Sequence, residues 1–174
     1  TPVISSAASD VYKRQNGTLD KYIGDAIVAF YGAPVALENH EYHACMTALE
    51  MDRKLNELRV KWKSEGGWPK LVHNVRHRVG LNSGEMVTGN MGSSMRMNYT
   101  MMGDTVNLAA RLEPAAKQYG VYTFVAENTY KVVKDQFEWR LLDFIRVKGK
   151  NKPVKVYELF SEKNNLVNNQ SDLI

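Results

Sequence analysis

Lys21 and Asp25 form the first of three polar clusters that could carry chemistry. Asp25 follows Lys21 by four residues and belongs to a Gly-Asp pair flanked by strand-like runs. Such a pair predicts a hairpin turn. A carboxylate at a hairpin tip is a good Mg²⁺ ligand, because the tip is exposed and two strands hold it. Ordinary turn chemistry explains the same residues, since Asp favours turns and Lys favours strand edges.

The second cluster spans residues 99–113 and reads Y-T-M-M-G-D-T-V-N-L-A-A-R-L-E. Asn107 and Arg111 are four residues apart on a predicted helix, so they project from one face. An amide and a guanidinium presented together are suited to binding a ribose and a phosphate. A solvated polar face of the helix would have the same pattern.

The third cluster is the basic turn Val147-Lys-Gly-Lys-Asn-Lys-Pro153, which contains Lys148. Mobile lysines next to a glycine can close over phosphate groups. The same lysines can simply keep a loop soluble, and the turn alone does not distinguish these interpretations.

Strand and helix patterns intermix around these clusters, which predicts an α+β fold with an antiparallel or mixed sheet. The second predicted helix begins with Asp104 as its N-cap and ends near Glu113-Pro114. The strands are predicted at 18–23, 26–31, 75–81, 85–88, 96–102, 124–125, 137–147 and 154–160. Gly89 and Gly92 are predicted to lie in a turn. The other helices are predicted at 37–63 and 128–134.

Composition excludes several classes of protein. The 174 residues suit one globular domain, and one cysteine excludes a disulfide framework and fits a reducing cytoplasm. No apolar run is long enough to cross a bilayer. The net charge of +4 comes without the basic stripe and stacking aromatics of a nucleic-acid-binding protein. Residues 1–15 lack a period and are expected to be a non-native or disordered leader, and residues 161–174 a polar C-terminal tail.

Taken in order, the three clusters resemble the signature of the class III adenylate and guanylate cyclases. That signature reads K-[YF]-[IM]-G-D-A-[IV]-x-A-F, then Y-T-x-M-G-D-x-V-N-L-[AG]-[AS]-R-L-E, then V-K-G-K. The resemblance covers residues 16–160, a partial catalytic domain, and is closest to bacterial versions that carry G-N-M-G-S, as residues 89–93 do. It implies a ferredoxin-like sheet flanked by helices.

The resemblance also implies a role for each candidate residue. Asp25 matches a metal-binding aspartate, and Asn107 and Arg111 match the catalytic residues that orient the ribose and stabilise the transition state. The substrate-binding positions are Lys21 and Thr100, which read the adenine, and Lys148, which binds the terminal phosphates.

The implied activity is that of an adenylate cyclase, which converts ATP to 3′,5′-cyclic AMP and pyrophosphate in intracellular signalling. Two Mg²⁺ or Mn²⁺ ions assist attack of the ribose 3′-hydroxyl on the α-phosphate. The active form is expected to be a homodimer with shared active sites. The domain is expected to be cytoplasmic, and a sensor or membrane module could precede it in a longer protein.

One family motif is absent from the sequence. The family begins with F-x-D-I-x-G-F, which supplies the second metal aspartate, whereas Asp10 is followed by Val-Tyr-Lys-Arg. We therefore expect an N-terminally truncated domain that lacks the first strand and helix and is itself inactive.

Two alternatives compete with the adenylate cyclase. Guanylate cyclases typically have Glu and Cys at the positions of Lys21 and Thr100, so these residues argue against that activity. A catalytically silent module that only dimerises and regulates would be free to lose Asp25, Asn107, Arg111 and Lys148, and all four are present.

Overall fold

Helices and strands intermix along the chain in the computed structural model, which describes residues 10–146 and 153–163. This order of elements confirms the predicted α+β class. The elements are β1 (Thr18–Ile23), β2 (Ala26–Phe30), α1 (His40–Glu65), a 3₁₀ turn (Val72–Asn74), β3 (Val79–Leu81), β4 (Val87–Ser93), β5 (Arg96–Met102), α2 (Asp104–Tyr119), β6 (Thr123–Ala126), α3 (Glu127–Val133), β7 (Phe137–Ile145) and β8 (Val154–Glu162).

The strands form one four-stranded sheet and two hairpins. The strand order in the sheet is β3-β6-β8-β7, and only the β3–β6 pair is parallel. The hairpins are β1–β2 and β4–β5, both antiparallel. The sheet is therefore mixed, as predicted.

Helices α1 and α2 cover opposite faces of the four-stranded sheet. Successive side chains of a strand point to opposite faces. Accordingly, Phe124 packs in one buried cluster with Leu108 and Leu112 of α2, whereas Val125 packs in another with Cys45 and other residues of α1. The sheet thus fixes both helices.

Helix α1, predicted at 37–63, has an apolar stripe along one face. Ala48, Leu55 and Trp62 of that stripe are buried. The helix ends at Glu65, two residues beyond the predicted end at 63, where Gly66 has a φ of 67°. No helix in the described part of the chain is long and apolar enough to cross a membrane.

Helix α2 lies unusually close to strand β3 at Gly80. A Cβ atom on Gly80 would lie 2.7 Å from both the carbonyl oxygen of Ala109 and the backbone nitrogen of Glu113. Real Cβ atoms essentially never approach backbone atoms so closely. The missing side chain therefore lets the helix backbone rest directly on the strand.

The predicted end of α2 near Glu113-Pro114 is wrong, because the helix continues through Pro114 to Tyr119. Proline removes one helical hydrogen bond and clashes with the preceding turn. Buried Leu112 and Ala116 pack in the same cluster on both sides of the proline, so tertiary packing stabilises the continued helix. The predicted N-cap is also wrong by one residue, since Gly103 occupies it and Asp104 is the first helical residue.

Two strand predictions also differ from the structure. Gly89 and Gly92 lie within β4 rather than in a turn, and the turn consists of residues 94–95. The strand predicted from residue 75 begins only at Val79, because β6 pairs with Val79–Leu81 alone. The alternation of apolar and polar residues predicted an extended segment, but it did not show how many of these residues would pair with another strand.

Residues 10–14, expected to belong to a leader, are helical in the structure. Val11 and Tyr12 are fully buried. The Gln15 side chain joins this segment to α1, since its amide nitrogen donates to Glu50 Oε1 at 2.9 Å and its oxygen lies 3.0 Å from His43 Nδ1. The described helical residues are too few to show a helical period in the sequence, so the sequence pattern did not predict this helical segment.

The last strand extends two residues into the segment expected to be a polar tail. Ser161 and Glu162 continue the pairing of β8 with β7. The Tyr42 hydroxyl of α1 donates to Glu162 Oε1 at 2.6 Å. This bond raises the pKa of Tyr42 to about 12, because the carboxylate holds the hydroxyl proton. Pairing and this hydrogen bond together order the end of β8.

We predict that Gly80→Ala lowers the free energy of unfolding by about 1–3 kcal/mol, because α2 must move away from β3. Denaturant unfolding measures this change. Gly89→Ala is the matched control, since nothing lies within 4 Å of an added Cβ there. Equal stability of the two variants would contradict the close contact.

Candidate functional site

Asp25 lies at the exposed tip of the β1–β2 hairpin. Ile23 pairs with Ala26, so Gly24 and Asp25 alone form the turn. Gly24 has a φ of 62°, a left-handed conformation that glycine adopts without steric cost. Asp25 is exposed, so its carboxylate is accessible to a ligand from solvent. The structure confirms the predicted hairpin, while the metal-binding role of Asp25 stays a prediction.

Described residues other than Asp25 do not complete a metal site around it. In residues 10–146 and 153–163, no group of three or more His, Cys, Asp or Glu side chains could hold a metal ion. Asp25 has the hard oxygen donors that Mg²⁺ prefers, but one carboxylate does not fix a cation. Asp25 by itself is thus one ligand position rather than a complete metal site.

Lys21 and Thr100 meet between the two hairpins. Lys21 Nζ donates to Thr100 Oγ1 across a distance of 3.3 Å. The rings of Phe30 on β2 and Tyr99 on β5, whose centroids lie 6.1 Å apart, form a second contact between the two hairpins. Phe30 is buried, so apolar packing also holds the hairpins together. The two residues predicted to read the base are therefore neighbours, although 79 positions separate them in the sequence.

A β-bulge in β1 lies directly beside this contact. Leu19 pairs with Ala29 and Lys21 with Val28, so Asp20 is an extra residue in the ladder. The Asp20 side chain is only 4% exposed, and its Oδ2 lies 3.3 Å from Lys21 Nζ. The ammonium of Lys21 is thus held between a buried carboxylate and a hydroxyl.

Sequence reasoning did not identify Asp20 as a partner of Lys21. A regular strand places neighbouring residues on opposite faces, so strand periodicity alone does not pair Asp20 with Lys21. The bulge brings the two side chains together. Its position next to Lys21 was the only available signal, and nothing in the sequence marks the bulge itself.

Asn107 and Arg111 lie on α2, one helical turn apart. Asn107 is exposed and Arg111 is half-buried. Only Gly103 separates this helix from β5, and the backbone N–H of Asn107 donates to the Gly103 carbonyl at 3.2 Å. Both residues therefore lie on the helix that directly follows the strand that carries Thr100.

Lys148 lies outside the described residues. Its predicted contact with phosphates stays a prediction. The described strands before and after it in the chain, β7 and β8, pair up to Ile145 and Val154.

The candidate residues thus come from three parts of the fold. Asp25 lies in the β1–β2 turn, Lys21 and Thr100 lie where the two hairpins meet, and Asn107 and Arg111 lie on the helix after β5. Among them, Lys21 and Thr100 are in direct contact. Two strands and one helix therefore present an amine, a hydroxyl, an amide and a guanidinium, which are groups suited to a nucleotide.

A model of the adenylate and guanylate cyclase catalytic domain matches residues 10–161 of the chain. Adenylate cyclase 1 of Rhizobium meliloti is 33% identical over 151 residues, which are 87% of this chain and 22% of the relative. Adenylate cyclase of Anabaena cylindrica is 32% identical over 149 residues, which are 82% of this chain and 28% of the relative. The chain thus spans less than a third of the length of these relatives.

Solved structures with a similar fold include cyclases of both nucleotide types. The adenylyl cyclase CyaB from P. aeruginosa has a TM-score of 0.79 and 29% identity, over 92% of this chain and 80% of that one. The guanylyl cyclase Cya2 has a TM-score of 0.73 and 27% identity, over 92% and 78% respectively. The predicted fold is therefore confirmed, and fold similarity extends to enzymes of both names.

Proposed function

The chain belongs to the adenylate and guanylate cyclase catalytic domain family, and we propose that the protein converts ATP to 3′,5′-cyclic AMP and pyrophosphate. The contact between Lys21 and Thr100 carries the choice of ATP. In the reaction, the ribose 3′-oxygen bonds to the α-phosphorus. The bond from that phosphorus to the bridging oxygen breaks and releases pyrophosphate with the electron pair, and the hydroxyl proton passes to solvent. Intracellular signalling through cyclic AMP is the corresponding role.

Base selection follows from the donors and acceptors of Lys21 and Thr100. Adenine offers a ring-nitrogen acceptor and an amino donor, whereas guanine offers a carbonyl acceptor and N–H donors. The Lys21 ammonium only donates, and the Thr100 hydroxyl both donates and accepts. Guanine N–H groups would face no carboxylate at these two positions, and each unpaired buried donor costs about 1–3 kcal/mol.

We assign the remaining steps to α2 and the two turns. Asn107 orients the ribose, and Arg111 stabilises negative charge that develops on the phosphate in the transition state. Lys148 binds the terminal phosphates. Asp25 supplies one ligand to the divalent cations, Mg²⁺ or Mn²⁺, which the family generally uses.

Two copies of the chain are proposed to share each site. Asp25 of one copy would act on the nucleotide that Lys21, Thr100, Asn107 and Arg111 of the other copy bind. Large apolar side chains that are at least half exposed on both hairpins fit burial between two copies. They are Tyr22, Ile23, Val87, Met95, Met97 and Met102.

Activity is best measured on the chain extended at its N-terminus by a segment carrying F-x-D-I-x-G-F, here called the extended chain. The second aspartate of the family's metal site lies in that motif. The 174-residue chain contains no F-x-D-I-x-G-F, and we propose that it turns over little ATP by itself.

Mixing two inactive variants tests the shared site. In the extended chain, Asp25→Ala and Arg111→Ala should each abolish cyclic AMP formation, and equal mixing should recover about a quarter of the wild-type rate. The fraction follows because half of randomly formed dimers are mixed and each mixed dimer has one intact site of two.

The control is a mixture of Asn107→Ala with Arg111→Ala, which places a catalytic defect in every site and should recover nothing. Native mass spectrometry verifies that mixed dimers form. Mixed dimers of Asp25→Ala and Arg111→Ala without activity would contradict sharing.

Exchange of the base-reading pair tests the substrate. Lys21→Glu combined with Thr100→Cys in the extended chain should lower kcat/KM for ATP and raise it for GTP, changing their ratio about tenfold or more. Lys131→Glu is the control, because it makes the same charge change on α3 at an exposed ion pair with Glu127. A wild-type enzyme that uses GTP as efficiently as ATP would overturn the choice of substrate.

A further inference from the structure

Asp20 is a buried carboxylate at the edge of the candidate site. Its side chain is 4% exposed, whereas that of Lys21 is 50% exposed. Carboxylates are rarely buried so completely unless a partner compensates the charge. The 3.3 Å distance from Asp20 Oδ2 to Lys21 Nζ identifies the partner.

The β-bulge is what creates this pair. Bulges re-aim side chains and occur frequently next to active sites. Here the extra residue is Asp20 itself, between the paired positions Leu19 and Lys21. The distortion therefore lies at the residue before the proposed base-reading lysine.

Lys21 has three N–H donors, and the structure accounts for two of them. One faces Asp20 and one is donated to Thr100 Oγ1 at 3.3 Å. Two fixed partners on different strands restrict the direction of the third donor. A long, half-exposed lysine would otherwise sample many rotamers.

We propose that Asp20 is a positioning residue that aims the Lys21 ammonium at the ring-nitrogen acceptor of adenine. Asp20 acts through Lys21 and does not touch the base, because its carboxylate is buried. It thereby sharpens selection of ATP over GTP. This inference rests on the proposed function.

The first experiment measures the mobility of Lys21 without any nucleotide. NMR relaxation of the Lys21 ε-methylene in the 174-residue chain gives its order parameter. Asp20→Asn keeps the side-chain shape but removes the charge, and we expect the order parameter of Lys21 to fall. Glu127→Gln is the control, since Glu127 pairs with Lys131 at 3.1 Å and should leave Lys21 unchanged. An unchanged order parameter in Asp20→Asn would overturn the proposal.

The second experiment measures selectivity in the extended chain. Asp20→Asn should reduce the ratio of kcat/KM for ATP to that for GTP about three- to fivefold, mainly through KM. The change is modest because Lys21 is half exposed and solvent screens its ion pair. In a Lys21→Ala background the same substitution should change the ratio no further, because Asp20 acts through Lys21. A purely structural Asp20 would have the same effect in both backgrounds, and that result would contradict the proposal.

Failure of the proposed function and failure of the inference about Asp20 give different results. If Asp20→Asn does not fold, as judged by thermal melting, Asp20→Ser takes its place with the same expected results. If the wild-type extended chain forms no cyclic nucleotide, the proposed function fails and the selectivity role of Asp20 fails with it. If the wild type selects ATP and Asp20→Asn selects it equally well, only the inference about Asp20 fails.

Discussion

The close contact between α2 and β3 determines where one half of the candidate site lies. Gly80 lets the helix backbone approach the strand to a distance that no Cβ would allow. Buried Leu108 and Leu112 hold the same helix against the sheet. Because Gly103 alone separates α2 from β5, fixing the helix also fixes the end of that strand. Thr100 on the strand and Arg111 on the helix thus lie on two consecutive elements joined by one residue.

The other half of the site comes from the β1–β2 hairpin, which packs against β5. The Phe30 and Tyr99 rings supply the apolar part of this contact, and Lys21 and Thr100 supply the polar part. The Lys21 side chain is half exposed, so its ammonium lies at the surface. The buried Asp20 carboxylate restrains the position of that ammonium. The arrangement leaves the amine open to solvent, where a nucleotide could reach it.

Local features of the fold were predictable from sequence, because short-range chemistry determines them. The Gly24-Asp25 pair specified its hairpin, and the spacing of apolar residues specified α1. Long-range packing decided the features that were missed. Burial on both sides of Pro114 kept α2 helical, and the bulge at Asp20 depends on pairing with β2.

The order of the motifs identified the family. The contact between Lys21 and Thr100 became visible only in the folded structure, since 79 positions separate them in the sequence.

The most direct test of the account is a crystal structure of the extended chain with a non-cyclisable ATP analogue and Mg²⁺. We predict adenine within hydrogen-bond distance of Lys21 and Thr100 of one copy, with the triphosphate near Asp25 of a second copy. Adenine bound away from Lys21, or a nucleotide held by one copy alone, would contradict the account.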